Sequence, residues 1–234
     1  MTISENVSLV KEKLALAAAR AGRDPSEITL LAASKMNDVA RVREAFDAGI
    51  TVFGENRVQE MLEKNALGAY AGASLHFIGH LQKNKAKQVV GLAQLIHGVD
   101  SVALLQVLSR VADSRGITQD VLLEVNIGRE ASKSGFAPAE ILSALDACED
   151  LPGIRVRGLM AIPPVCSNSD EIRPYFAQMQ QLFIDNGGKK YDNSSMDFLS
   201  MGMSGDYETA VEYGSNLVRV GSGIFGPRNY TAKS

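Results

Sequence analysis

Residues 28–56 read ITLLAASKMNDVARVREAFDAGITVFGEN. An apolar run over 28–34 ends at Ser34-Lys35, and Asp38 then caps a pattern of Val39, Val42 and Phe46 that closes at Gly49. A second apolar run, TVFG, follows at 51–54. The apolar spacing switches from strand-like to helical and back, which is one strand–helix–strand unit. It also raises a question about Lys35. A lysine ending a buried strand is ordinarily a side chain reaching water.

Outward from this unit the same pattern recurs. Strands are predicted over 28–34, 51–54, 75–79, 94–97, 121–127, 155–160, 197–200 and 217–220. Between them, Val102, Leu105, Leu108 and Val111 form one helical stripe, capped by Ser101 and stopped at Gly116. Pro138 opens another, through Ile141, Leu145 and Cys148, and Ile172, Phe176, Met179 and Leu182 run to Gly187-Gly188. Caps, prolines and glycines stand where helix ends want them.

Before the first strand, Val7, Val10, Leu14, Ala17, Ala18 and Ala21 give an extra N-terminal helix over about 4–21, stopped by Gly22 and Pro25. Strands alternating with helices pair in parallel, and eight such units close most naturally into a (β/α)8 TIM-type barrel. The expectation is a single domain over 1–234, with the barrel over about 28–230. A doubly wound open sheet is the alternative, but no GxGxxG follows the first strand.

Composition narrows the function. The 234 residues are 45% hydrophobic and 22% charged, with a net charge of −3. That excludes a basic nucleic-acid footprint, and no apolar run is long enough to span a membrane. The N-terminus, with Glu5 and Glu12, does not read as a signal peptide. Cys148 and Cys166 form neither a disulfide framework nor a metal pattern, and His76, His80 and His97 lack ligand spacing. A cytoplasmic, metal-free protein is expected.

In such a barrel the active site lies at the C-terminal strand ends. Lys35, Glu55-Asn56, Gly79-His80, Asn126, Met160-Ala161, Ser200 to Ser204 and Gly221-Ser222 should therefore meet on one rim. Two segments there, LSMGMSGDYETA (199–210) and LVRVGSGIFG (217–226), are strand ends followed by small residues and a helix start. Backbone N–H groups and a helix N-terminus suit a phosphate, and Ser204 and Ser222 could add hydroxyls. Strands one and eight are neighbours in a closed barrel, so Lys35 faces the same opening. A ligand with an aldehyde at one end and a phosphate at the other, as in pyridoxal phosphate (PLP), would bridge them. Arg219 alternates to the side of Gly221 and would meet the ring between; its plain alternative is a salt bridge across the barrel.

These segments carry a resemblance. AASK, VFGENRVQE, LHFIGHLQKNK, EVNIGREASKSG, RGLMAIP and FLSMGMSGDYETAVEYGSNLVRVGSGIFGPRNY, between Leu30 and Tyr230, resemble the pyridoxal 5′-phosphate homeostasis protein family, called YggS in bacteria and PROSC in eukaryotes. Its fold is similar to the barrel domain of alanine racemase. The resemblance implies that Lys35 forms a Schiff base with PLP and that Asn56 lies near the ring. Ser200, Ser204, Gly221 and Ser222 would hold the phosphate, with Met201 also among the cofactor-binding residues, and Arg219 would face the pyridine nitrogen. It implies a carrier or buffer of PLP without established turnover, with PLP-dependent apoenzymes as recipients. Met36, His80 and Ser222 depart from residues common in the family and remove no group the site needs.

Other features read as follows. Lys83, Lys85 and Lys87 form a solvated helix face, with a second phosphate or an acidic partner as the alternative. Lys133, past strand five, is a surface-loop lysine or a secondary cofactor acceptor. Glu124, on an apolar strand, needs a partner the sequence cannot name. Cys166 is a loop thiol with no flanking cation. A PLP-dependent racemase or lyase is the second functional reading, and a Schiff-base aldolase on a sugar phosphate the third. Racemisation needs a base on each face of the ring, and neither nearby tyrosine, Tyr207 or Tyr230, is placed over it by any argument. With no second domain before Ser234 to supply one, a carrier is favoured and a monomer expected.

Overall fold

The computed structural model describes residues 1–189 and 191–227. Tyr230 and the expected barrel end at 230 lie outside them. Eight parallel strands form one closed barrel in sequence order. They are β1 (Thr29–Ala33), β2 (Val52–Glu55), β3 (Ser74–Phe77), β4 (Leu95–Val99), β5 (Gln119–Val125), β6 (Ile154–Ala161), β7 (Ser194–Met203) and β8 (Leu217–Val220). All eight were predicted, and the ends differ by a few residues. The largest differences are at β7, which begins earlier and runs on to Met203, and at β5, which begins at Gln119 and stops at Val125.

An N-terminal helix, α1 (Ile3–Arg20), precedes the barrel. Thr2 accepts from the Glu5 amide and the Glu5 carboxylate accepts from the Thr2 amide, a reciprocal cap. Around the barrel follow α2 (Val39–Asp47), α3 (Val58–Ala66), α4 (Ala86–Val89), α5 (Val102–Asp113), α6 (Ile141–Cys148), α7 (Ser169–Gly187), α8 (Tyr207–Glu212) and α9 (Ser222–Phe225). The buried face of α1, including Val7, Val10, Leu14 and Ala18, packs on α8, α9 and α2. It therefore covers the seam where the last strand meets the first. Among the described residues, no helix is long and apolar enough to cross a membrane.

The register at that seam positions the site. Leu31 lies opposite Val52 on one side and Arg219 on the other, and Ala33 lies opposite Gly54. Lys35 and Asn56 follow two residues after that last pair, and both line one cavity. Ala32 faces Val220, so the Gly221-Ser222 turn begins at the height of the last β1 residue.

Inside the barrel, Leu31, Leu95, Leu122, Met160 and Leu217 form an apolar plug with Val52 and Phe198 against it. A much larger apolar layer fills the space between strands and helices. Burial of these side chains drives the fold, at about 25 cal/mol per Å² of apolar surface removed from water.

Candidate functional site

Side chains two residues apart on a strand share a face. Above the apolar plug, each of four strands places a polar residue: Leu95 is followed by His97, Leu122 by Glu124, Phe198 by Ser200 and Leu217 by Arg219. Together with His76 on β3 they form a polar floor. His76 Nδ1 lies 3.0 Å from His97 Nε2, and His97 Nδ1 lies 3.1 Å from Ser200 Oγ. Arg219 donates to Ser200 Oγ at 2.5 Å and to the Ala161 carbonyl at 3.0 Å. Burial lowers His76 to about 4, and burial, His76 and Arg219 hold His97 well below the usual range. Both imidazoles are therefore neutral at pH 7. Burial also brings Arg219 down to about 10, against the opposing pull of Asp206 and Glu124, and it remains a cation.

Over this floor opens a cavity of about 510 Å³. Of the residues predicted for the site, Lys35, Asn56, Ser204, Arg219, Gly221 and Ser222 line it together. Ser200 and Met201 do not. Ser200 is fully buried beneath the cavity, where its hydroxyl supports Arg219. Met201 alternates to the opposite strand face and lies in the outer core. Glu55, Met160 and Ala161, also expected at the rim, are buried below it.

On the β1 wall, Lys35 sits on a hydrogen-bonded turn. The Asn37 amide donates to the Ser34 carbonyl at 3.1 Å, and Asn37 Nδ2 donates to the Lys35 carbonyl at 3.1 Å. Met36, at the third turn position, has φ of 63°. That setting suits glycine in a turn and costs an L-residue about 1–2 kcal/mol. The turn is held from behind by Glu55, expected at the rim, by Glu60 at the end of VFGENRVQE, and by Lys64 and Tyr70, which were not singled out from the sequence. Lys64 Nζ donates to the Ser34 carbonyl at 2.8 Å, to Glu55 Oε1 at 2.8 Å and to Glu60 Oε1 at 2.6 Å. Glu60 Oε1 also accepts from the Met36 amide at 2.5 Å. Glu55 accepts from Ser34 Oγ and from Tyr70 OH, each at 2.7 Å. Burial raises the Glu55 carboxyl, with Lys64 opposing, and raises the Tyr70 phenol far above its ordinary value, with Glu55 adding to the effect. The Glu60–Lys64 spacing of i, i+4 was the available signal, but 58–66 was not read as a helix.

Asn56 owes its seat to a glycine. A Cβ on Gly79 would lie 2.2 Å from the Asn56 carbonyl oxygen, so only glycine lets the two strand ends approach.

On the β7–β8 wall, backbone takes the place of side chains. Ser204 Oγ accepts from the Gly221 amide at 3.1 Å and from the Gly223 amide at 3.2 Å, which ties the β7 loop to the β8 turn and leaves the Ser204 hydroxyl proton to donate elsewhere. The Asp206 carboxylate accepts from the Met203 amide at 2.5 Å and shapes the preceding turn. Nothing lies within 4 Å of where a Cβ on Gly205 would be, so a ligand can approach bare backbone there. This wall fits an anion met by the Ser204 hydroxyl and by open backbone at Gly205, and Arg219 lines the same cavity as a positive charge.

The far side carries further titratable groups. His80 Nδ1 lies 3.0 Å from Asp100 Oδ2, and Glu124 lines the cavity. Burial and Asp100 raise Glu124, with Arg219 and His80 opposing, so the charges it faces are now identified. Lys133 also lines the cavity; its amine donates to the Pro163 carbonyl at 3.3 Å and pairs with Glu130. Lys83, Lys85 and Lys87 are exposed and line no part of the cavity. Tyr207 is buried in α8. Cys148 is buried, its thiol pushed up to about 12, and the half-buried Cys166 thiol contacts the Pro164 carbonyl at 3.4 Å.

Comparison with known proteins bears on this arrangement. Residues 7–229 match the family model described as alanine racemase, N-terminal domain. The pyridoxal phosphate homeostasis protein of Aquifex aeolicus is 40% identical over 230 residues, covering 98% of this chain and 100% of that protein. The protein of the same name from Pseudomonas aeruginosa is 41% identical over 231 residues, covering 99% and 98%. The structure of PipY from Synechococcus elongatus with PLP bound superposes with a TM-score of 0.81 at 34% identity, covering 96% of this chain and 100% of that one.

Proposed function

This chain belongs to the family of pyridoxal phosphate homeostasis proteins, and from that premise we propose that it binds PLP in the β1/β8 cavity and serves as a carrier or buffer of it. One observation carries the reading. A single opening has the Lys35 amine on one wall, the Ser204, Gly221 and Ser222 turn on the adjoining wall, and the Arg219 guanidinium at its floor. When bound, the cofactor supplies an aldehyde that condenses with a primary amine, losing water. Lys35 offers that amine, and Asn56 stands beside it as a neighbour to the ring. The Ser204 hydroxyl, anchored by the Gly221 and Gly223 amides, would hold the phosphate together with Gly221 and Ser222. Arg219, a cation bonded to a hydroxyl and a carbonyl, would keep a pyridine nitrogen opposite it unprotonated and the ring a poor electron sink.

Holding without turnover suits the tyrosines as well. Tyr207 is buried, with its phenol raised to about 12, so it offers no second base over the ring. In this role the chain releases PLP to PLP-dependent apoenzymes and acts as a monomer.

The test is an absorbance spectrum before and after borohydride, with Lys35→Ala alongside. A yellow band that borohydride bleaches and the variant lacks is expected; a wild type left colourless by added PLP defeats the reading. Loss of the α-deuteron from labelled alanine at enzyme-like rates would instead favour the racemase or lyase alternative.

A further inference from the structure

We infer that Glu60 and Lys64, one turn apart on α3, are positioning residues that fix where Lys35 presents its amine. The inference rests on the proposed covalent role of Lys35 and gives a role to Glu60, the last residue of VFGENRVQE, and to Lys64, neither of which lines the cavity.

The peptide groups on both sides of Lys35 are gripped from the same helix. Lys64 Nζ holds the Ser34 carbonyl at 2.8 Å, one residue before it. Glu60 Oε1 holds the Met36 amide at 2.5 Å, one residue after it. The two grips are tied to each other at 2.6 Å. Lys64 is in turn tied at 2.8 Å to Glu55, which is fully buried and also bonded by Ser34 and Tyr70. Lys64 itself is 6% exposed, so its bonds to Ser34 and Glu55 are shielded from competing water, while the Glu60 bond to Met36 lies where the turn reaches the surface.

A turn that only linked β1 to α2 has no need of this. Met36 adopts the left-handed conformation without being glycine, and the Glu60 bond to its amide offsets that preference. The turn sets the direction in which the Lys35 side chain leaves the backbone. A long, flexible amine reacts with an aldehyde only when both are held at near-contact distance. The phosphate wall uses none of these residues. The clamp should therefore act on the covalent step and leave anion binding alone.

That separation gives the experiment. Binding of PLP and of pyridoxine 5′-phosphate, whose alcohol cannot link to an amine, is measured on wild type, Glu60→Ala, Glu60→Gln and Lys64→Met, with melting temperature recorded for each. Glu60→Ala is expected to weaken PLP by about tenfold, in line with loss of a hydrogen bond to a charged group, and to leave the alcohol unchanged within about twofold. Glu60→Gln keeps an oxygen that can accept from Met36 and should stay within about threefold of wild type for both ligands. Lys64→Met, where it folds, should behave as Glu60→Ala; where it does not, the Glu60 pair carries the test. Equal weakening of both ligands by Glu60→Ala, or no weakening of PLP, overturns the inference. A wild type that binds the two ligands equally well lacks the covalent link, and then the proposed function fails and this inference falls with it.

Discussion

On the β1 side of the opening, side chains do the holding: Ser34, Glu55, Glu60, Lys64 and Tyr70 form one bonded cluster behind Lys35. On the β8 side the wall is backbone, with Ser204 as the side chain that gathers the Gly221 and Gly223 amides. The difference follows from what each side has to fix. An amine on four methylenes has many rotamers, and only the base of the chain can be set in advance. An anion needs converging N–H groups and space, and small residues give both. Precision on one side comes from packing charges into the core, and on the other from leaving atoms out.

The sharpest way to break this contrast is Lys64→Met. It leaves Glu55 buried with only neutral donors, and loss of one partner of a buried ion pair costs about 3–5 kcal/mol. Denaturant unfolding should show that loss, whereas a change below about 1 kcal/mol would mean that the cluster is not the stabilising wall described. Gly205→Val tests the opposite wall. With no atom within 4 Å of the new Cβ, stability should hold within about 0.5 kcal/mol, while affinity for pyridoxine 5′-phosphate falls at least about tenfold. Calorimetric titration checks both halves of that statement.

The floor shared by both walls gives a pH signature. His76 titrates at about 4 when folded and near 6.5 when unfolded. Between those values the unfolded chain binds a proton that the folded one refuses, so this residue lowers stability as pH falls, by up to about 3 kcal/mol near pH 4. The raised Glu55 and Glu124 act in the opposite sense over the same window. The His76 share is therefore read by difference: His76→Gln should lose less stability on acidification than wild type, and parallel curves would place the imidazole outside the linkage. The smallest effect is expected from the triple change of Lys83, Lys85 and Lys87 to alanine. These side chains are exposed and line no part of the cavity, and affinity for PLP should stay within about twofold.

The barrel was legible because its period changes are sharp. Several βα units carry an apolar run, a cap and a stop, as between Ile28 and Gly49. The β8-side wall was legible for a related reason: glycines and serines between a strand and a helix leave few uses other than a turn that exposes amides. Ser200 and Met201 were placed at the cavity because the loop was read as a unit. The strand continues to Met203, and alternation sends Ser200 down to the floor and Met201 outward. That floor was readable in LIH, LLE, FLS and LVR, where each inward leucine or phenylalanine is followed two residues later by a polar group. The Lys64 cluster was less accessible. Its members come from the end of β1, β2, α3 and the segment after α3, and nothing local in Glu55 or Tyr70 says that both bond within one cluster around Lys64.

The closure of β8 against β1 has a consequence for the chain as a polymer. Lys35 belongs to the first strand's end and Gly221 to the last, so a ligand reaching from one to the other joins points separated by nearly the whole barrel. Such a bridge works as a removable stitch. It reduces the entropy of the opened ring without any bond between protein atoms, and the gain grows only slowly with the length enclosed. Loading should therefore slow amide exchange most at the two strands that meet under α1, and unloading should return them to the pace of a ring held by its own hydrogen bonds.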